Sequence, residues 1–83
     1  MWKLLENGDK LEVKDRLMHR IIFGDEDETS KQEFEIIAVE KKYYSAKLIK
    51  LNKKPVPVEY QYSWFKEIAK LSESKLHIWR EKK

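Results

Sequence analysis

Two strand patterns follow one another in residues 34–51, which read FEIIAVEKKYYSAKLIKL. Both alternate between two sets of side chains, and the first is apolar on both faces around 36–39, as is typical of a strand in the middle of a core. The sets are Phe34, Ile36 and Ala38 against Glu35, Ile37 and Val39, then Tyr44, Ala46 and Leu48 against Lys47, Ile49 and Leu51. The sequence therefore predicts two consecutive strands at the centre of the fold.

Charge is sorted along the same part of the chain. Residues 25–40 contain seven acids and one base, and residues 41–58 contain six bases and no acid. Unlike blocks that adjoin in sequence can become opposite faces of a small domain, each attracting a different partner. We therefore expect two separate surface patches. The acidic patch is Asp25, Glu26, Asp27 and Glu28, and the basic patch is Lys41, Lys42, Tyr43, Lys47, Lys50, Lys53 and Lys54.

A hairpin is predicted at the start of the chain, because the pair Asn7-Gly8 suits the two positive-φ positions of a type I′ turn. A two-residue loop places strands at about residues 2–6 and 9–14. In that register four apolar residues share the face that points to the core. They are Trp2, Leu4, Leu11 and Val13.

Residues 15–24 fit either a short helix capped by Asp15 or a strand. The β-favouring run of Ile21, Ile22 and Phe23 supports a turn at 15–18 and a strand at about 19–23. Residues 25–31 contain no apolar side chain and predict an exposed loop.

The last third of the chain predicts a turn, a strand and a helix. The turn is at 52–55, and a half-buried strand over 56–62 has Pro57 at an edge or a bulge. Ser63 is a candidate N-cap for a helix at about 64–72, with Trp64, Ile68 and Leu71 at helical spacing and buried. Residues 76–80 fit either a closing strand or more helix.

These elements predict one mainly β (α+β) domain over residues 1–83. We expect a small partly open barrel or a strongly curved antiparallel sheet of five to six short strands, with one helix near the C-terminus. The stretch Gly8-Asp9-Lys10-Leu11-Glu12-Val13 resembles the opening of many SH3-like and PUA/ASCH-like barrel domains. The resemblance covers six residues of 83 and implies a small barrel.

Several kinds of chemistry have no counterpart in the sequence. There is no Cys for a disulfide or a thiolate metal site, and two glycines cannot form a phosphate-binding loop. His19 and His77 are far apart and lack neighbouring ligands at metal spacing. We therefore expect no enzyme activity, no metal and no cofactor. A start without a signal-peptide apolar region, and no apolar run long enough for a bilayer, predict a cytoplasmic protein away from membranes.

The sequence favours a non-enzymatic binding module that docks on another protein as an accessory or inhibitory factor. The alternative is nucleic-acid binding, with the basic patch contacting phosphates and nearby aromatics stacking on bases. Fifteen lysines against three arginines argue against sequence-specific DNA reading. Solvent exposure of Tyr43, Tyr60 and Trp64 separates the two hypotheses. Exposed aromatics beside Lys47 and Lys50 favour nucleic acid, and buried aromatics with an apolar patch elsewhere favour protein docking.

Overall fold

The structure, a computed structural model, describes residues 1–22 and 29–80, which form one antiparallel sheet. The strands are β1 (Trp2–Leu4), β2 (Arg16–Ile22), β3 (Thr29–Val39), β4 (Tyr43–Leu51), β5 (Lys54–Pro55), β6 (Ser63–Glu67) and β7 (His77–Trp79). Their order is β1-β7-β2-β3-β4, and β5 and β6 both pair with the free side of β4. The mainly β domain is confirmed. The sheet has seven strands rather than five to six, and it is not closed into a barrel.

The core lies on one face of this sheet, where β3 and β4 contribute alternate residues. Phe34, Ile36, Tyr44, Ala46 and Leu48 are all buried, as their alternation predicts. The cluster is completed by Leu5, Leu11, Leu17, Leu71, Leu76 and Ile78. The two predicted strands are therefore confirmed, but β3 is not buried on both faces as predicted, because Ile37 (40% exposed) and Val39 (37% exposed) face solvent. β2 begins earlier than predicted, at Arg16.

The predicted N-terminal hairpin is wrong, because β1 pairs with β7 instead of with residues 9–14. Asn7-Gly8 does form a turn, in which the Asp9 N–H donates to the Glu6 carbonyl at 3.1 Å. Only Gly8 has a positive φ there (94°), whereas a type I′ turn needs one at both central residues. The resemblance at 8–13 to a first barrel strand is overturned with it.

Residues 12–15 form a second turn that has the same geometry as the turn at residues 6–9. In each, an aspartate accepts from the backbone N–H three residues earlier at 2.8 Å, Asp9 from Glu6 and Asp15 from Glu12. In each, the third residue has a positive φ, 94° at Gly8 and 78° at Lys14. Two tight turns this close leave no room for a strand between them.

Burial in this region follows the turns and not the predicted strand register. Leu5 and Leu11 are buried, but Leu4 (48% exposed) and Val13 (54% exposed) face solvent. Trp2 is half-buried. Of the four residues predicted to face the core, only Leu11 is a core residue.

The predicted strand over 56–62 is also wrong. Val58–Tyr60 is a single 3-10 turn with no buried residue, in which the Tyr60 N–H donates to the Pro57 carbonyl at 2.9 Å. Pro57 has a φ of −55°, which suits the start of a turn and withholds a ladder donor. The strand follows instead at β6, in the place predicted for the first turn of a helix.

The predicted C-terminal helix begins later than expected, as a 3-10 segment over Ile68–Ser74. Leu71 is fully buried, and Trp64 and Ile68 are partly buried against the core, so the predicted inward direction of these residues is largely confirmed. The segment ends at Lys75 in the left-handed conformation, after which β7 supplies the closing strand that was one of the two alternatives.

The turn between β4 and β5 has the geometry that the sequence assigned to Asn7-Gly8. Asn52 and Lys53 both have a positive φ, 51° and 69°, which is the pattern of a type I′ hairpin turn. The predicted turn at 52–55 is therefore confirmed. The loop predicted at 25–31 overlaps β3, which begins at Thr29, and its residues 25–28 lie outside the described residues.

Candidate functional site

The two charge blocks fold onto each other where β3 pairs with β4. Glu35 lies opposite Lys47, and Glu33 lies opposite Lys50, on the face of the sheet away from the core. Opposite charges at facing positions of a ladder attract each other and lower the net charge of the surface. Instead of making opposite faces of the domain, these parts of the two blocks share one face.

The predicted basic residues are placed in three separate regions. Lys41, Lys42 and Tyr43 lie at one end of β4, Lys53 and Lys54 at the other, and Lys47 and Lys50 between them opposite glutamates. The nine residues of β4 span roughly 26 Å at the usual rise of a strand. The structure therefore does not bring these lysines into one patch. The predicted acidic patch, Asp25 to Glu28, lies outside the described residues.

Most of the aromatic residues of the C-terminal half are exposed. Tyr43 is 41% exposed, as its phase in β4 predicts, and Phe65 is 71% exposed. The two rings meet edge to face with their centroids 5.9 Å apart. Tyr60 is also 71% exposed, whereas Trp64 is half-buried against Phe34 and Tyr44.

The strand β6 forms an edge of the sheet that has unpaired backbone groups. The Leu48 N–H donates to the Tyr62 carbonyl, and the Ile68 N–H to the Lys42 carbonyl. These bonds set the alternation of the antiparallel ladder, so Trp64 and Lys66 bond to β4. The N–H and C=O groups of Ser63, Phe65 and Glu67 therefore point away from β4, and no described strand pairs with them. We call these three residues the β6 edge.

A groove of about 380 Å³ runs along the β6 edge. Consecutive strand residues point to opposite faces, so a groove that touches 65, 66 and 67 together follows the strand edge. It is lined by Tyr43, Phe65, Lys66, Glu67, Lys70, Glu73 and Ser74. Two lysines and two glutamates make this lining neutral overall, and Lys70 pairs with Glu67 at 3.8 Å. We call it the edge groove.

Lys66 does not cover the exposed face of Phe65. Its Nζ lies 4.9 Å from the centroid of the Trp64 ring, on the face of β6 that turns toward the core. On the opposite face, Phe65 lies opposite the small side chain of Ser45. The edge groove is therefore apolar on the Phe65 side.

The described residues contain no cluster of side chains that could hold a metal ion. Among residues 1–22 and 29–80, no three His, Asp or Glu side chains come together as metal ligands would. His19 and His77 line different cavities. Within the same two ranges, the helical segments are too short and too polar to cross a membrane.

Comparison with known proteins gives no match: no family model, no curated protein and no solved structure is significantly similar to this chain.

The sequence did not identify Phe65 as a surface residue, because the helix predicted at 64–72 placed it beside the core. The signal for a strand was present in the two adjacent aromatics Trp64 and Phe65, which favour strands. Alternation of Trp64 and Lys66 with Phe65 and Glu67 also fits an edge strand.

Proposed function

We propose that this protein is a docking module that binds an extended segment of another protein as an additional strand on the β6 edge. The observation that carries the proposal is the row of outward backbone groups at Ser63, Phe65 and Glu67, beside the exposed ring of Phe65. Added strands gain affinity from main-chain hydrogen bonds and specificity from alternate side-chain pockets.

The β6 edge has few of the features that normally prevent strand addition. Exposed edges are commonly protected by proline, by bulges, by charges or by a covering element. Residues 63–67 contain no proline, and the ladder with β4 has no register shift. Lys66 is the one lysine in the strand, and its ammonium group lies over Trp64. An incoming strand therefore meets no charge on the Phe65 face until Glu67.

The chemistry of the edge groove indicates the kind of segment that fits it. Phe65 and Tyr43 offer an aromatic surface to one apolar side chain, and burying such a side chain contributes about 1.5–3 kcal/mol. The balanced lysines and glutamates favour a segment without strong net charge. The proposed ligand is therefore an extended, nearly neutral segment with an apolar residue facing Phe65.

The alternative of nucleic-acid binding has weaker support at the part of β4 that carries Lys47 and Lys50. Exposed aromatics are present, but Lys47 and Lys50 each face a glutamate, so this stretch of β4 offers a phosphate backbone little net positive charge. Protein docking therefore remains the first proposal.

The test replaces Phe65 with the photoreactive residue p-benzoylphenylalanine in cells that make the protein. After irradiation, mass spectrometry identifies the cross-linked peptides. Val58, which is 79% exposed on the 3-10 turn, carries the same residue in a matched control. We expect position 65, and not position 58, to capture one extended segment of a partner protein.

A binding measurement with the captured segment completes the test. Phe65→Ala should weaken its affinity by about 2 kcal/mol or more if Phe65 is a central contact, and Val58→Ala should leave affinity unchanged. Equal capture at positions 65 and 58 would argue against docking at this edge. Capture of a second copy of the chain, with dimers in sedimentation, would replace the proposed partner by self-association.

A further inference from the structure

A second cleft lies on the face of the sheet opposite the core, and we call it the basic cleft. It encloses about 270 Å³ and extends across four neighbouring strands. Its lining is Trp2 of β1, His77 of β7, Met18 and Arg20 of β2, Lys31 and Glu33 of β3, and Lys53 from the turn after β4. It is separate from the edge groove, and the inference below does not rest on the docking proposal.

The basic cleft has an excess of positive charge and of hydrogen-bond donors. Among the described residues that line the cleft, Arg20, Lys31 and Lys53 stand against one carboxylate, that of Glu33, whose Oε1 already lies 3.4 Å from Arg16 Nη2. His77, which lines the cleft, has a buried Nδ1 without a hydrogen-bond partner within the described part of the chain. This balance suits an anionic ligand that accepts several hydrogen bonds.

Lys53 occupies a backbone position that disfavours its own side chain. It is the second central residue of the type I′ turn, with a φ of 69°, where glycine is preferred. Asn52 ties this turn to Lys31, because its Oδ1 accepts from the Lys31 N–H and its N–H donates to the Lys31 carbonyl, each at 2.8 Å. These two hydrogen bonds hold the turn against β3 and so bring Lys53 and Lys31 to the same cleft.

Trp2 forms a flat apolar wall beside these cations. Its ring is held edge to face against Trp79 with centroids 5.4 Å apart, and the Arg16 guanidinium lies over the ring, 5.9 Å from its centroid, so a base stacks on the part that these two neighbours leave open. An aromatic wall for a base next to cations for a phosphate is the combination that nucleotide-binding surfaces use.

We propose that the basic cleft binds a nucleotide, with the phosphate on Arg20, Lys31 and Lys53 and the base against Trp2. The volume of about 270 Å³ is smaller than that of pockets that enclose drug-sized ligands, roughly 300–1,000 Å³, so the cleft holds at most one nucleotide unit, which stays partly in solvent. A free mononucleotide and a unit within a single strand offer this same chemistry.

The test titrates ¹⁵N-labelled protein at low salt with thymidine 5′-monophosphate, inorganic phosphate or hexathymidylate. We expect the Trp2 indole and the backbone signals of residues 20, 31, 53 and 77 to shift. Thymidine monophosphate should bind more tightly than phosphate, and Trp2→Leu should remove that difference. If the mononucleotide binds more tightly than hexathymidylate, the ligand is a free nucleotide. If hexathymidylate binds more tightly, the ligand is a single strand, and either result supports the proposal.

Lys53→Gly separates binding from folding. Glycine relieves the positive φ, so the thermal midpoint should stay level or rise, while loss of one charged contact should weaken binding by about tenfold or more. Lys42→Gln, at the other end of β4 from Lys53, is the control and should change affinity by less than about twofold. Equal losses in the two variants, equal affinity for phosphate and nucleotide, or no shifts with any probe would overturn the proposal.

Discussion

Glu35 lies directly opposite Lys47 in the ladder between β3 and β4. The next charged pair along the ladder places Glu33 opposite Lys50. Two blocks that look like separate acidic and basic patches in the sequence therefore contribute matched charges to the two arms of one hairpin. The two pairs lie on either side of a register shift between Glu33 and Phe34, so the ladder changes register by one residue and both glutamates still face lysines.

A charge-reversal cycle tests this pairing. Glu35→Lys and Lys47→Glu each place like charges opposite one another, and each should lower the free energy of unfolding by about 0.2–1 kcal/mol. The double variant restores an opposite pair with β4, while residue 35 still faces Arg16 of β2, so it should recover part of the loss. Urea unfolding of all four proteins at low and high salt measures the coupling, and additive losses in the double variant would contradict it.

The burial of Tyr44 predicts that the protein loses stability at alkaline pH. Burial raises the pKa of Tyr44 to about 12, and its hydroxyl has no hydrogen-bond partner among residues 1–22 and 29–80. The unfolded chain ionises this phenol near pH 10, so its contribution to stability is complete below pH 10 and is lost between pH 10 and about 12.

Tyr44→Phe should raise the free energy of unfolding at pH 8 by about 1 kcal/mol, because it removes a buried unsatisfied hydroxyl. The variant should also lose less stability than the parent between pH 9 and 11. Tyr60→Phe, at an exposed site, is the control and should follow the parent at every pH. Denaturant unfolding measured across that range gives the comparison, and parallel curves for all three proteins would refute the prediction.

Backbone amide exchange should alternate along β6. Trp64 and Lys66 bond to β4, so their N–H groups should exchange slowly, whereas those of Phe65 and Glu67 face outward and should exchange fast. Hydrogen–deuterium exchange read by NMR measures this without any partner. Slow exchange at all four positions in the monomer would show that the edge is already covered.

Removing the glycine of the first N-terminal turn and adding one to the second should have opposite effects on stability. Gly8→Ala should destabilise the protein by about 1 kcal/mol, although an added Cβ meets no atom within 4 Å, because the cost is the positive φ alone. Lys14→Gly, at a φ of 78°, should be neutral or stabilising. Thermal denaturation of both variants distinguishes this explanation from loss of contacts, which would lower the midpoint in both.

The N-terminal region shows why a local sequence signal can predict a turn but not which strands pair on either side of it. Asn7-Gly8 does turn, but Asn7 uses its Oδ1 to accept from the Ser72 N–H at 3.0 Å, 65 residues away in sequence. The partner of β1 is β7, at the other end of the chain. Pairing at that distance cannot be inferred from a short pattern, because a strand presents the same backbone groups to any neighbour.

The candidate sites depend on the same long-range contacts. The basic cleft joins Trp2, Arg20, Lys31, Lys53 and His77, which come from both ends and the middle of the chain. In the sequence, Lys53 belongs to the predicted basic patch, and His77 is an isolated histidine without neighbouring ligands. The β6 edge was missed because Trp64, Ile68 and Leu71 also fit helical spacing.

The sequence alone determined the central pair of strands, the turn at Asn52-Lys53 and the absence of thiol chemistry, because these follow from composition, alternation and local backbone preference. Only the tertiary structure decided that β1 joins β7, that residues 63–67 form an edge strand, and that glutamates face lysines across β3 and β4. The physical reason is that side-chain alternation selects which face of a strand is buried, whereas the choice of neighbouring strand depends on packing the whole core.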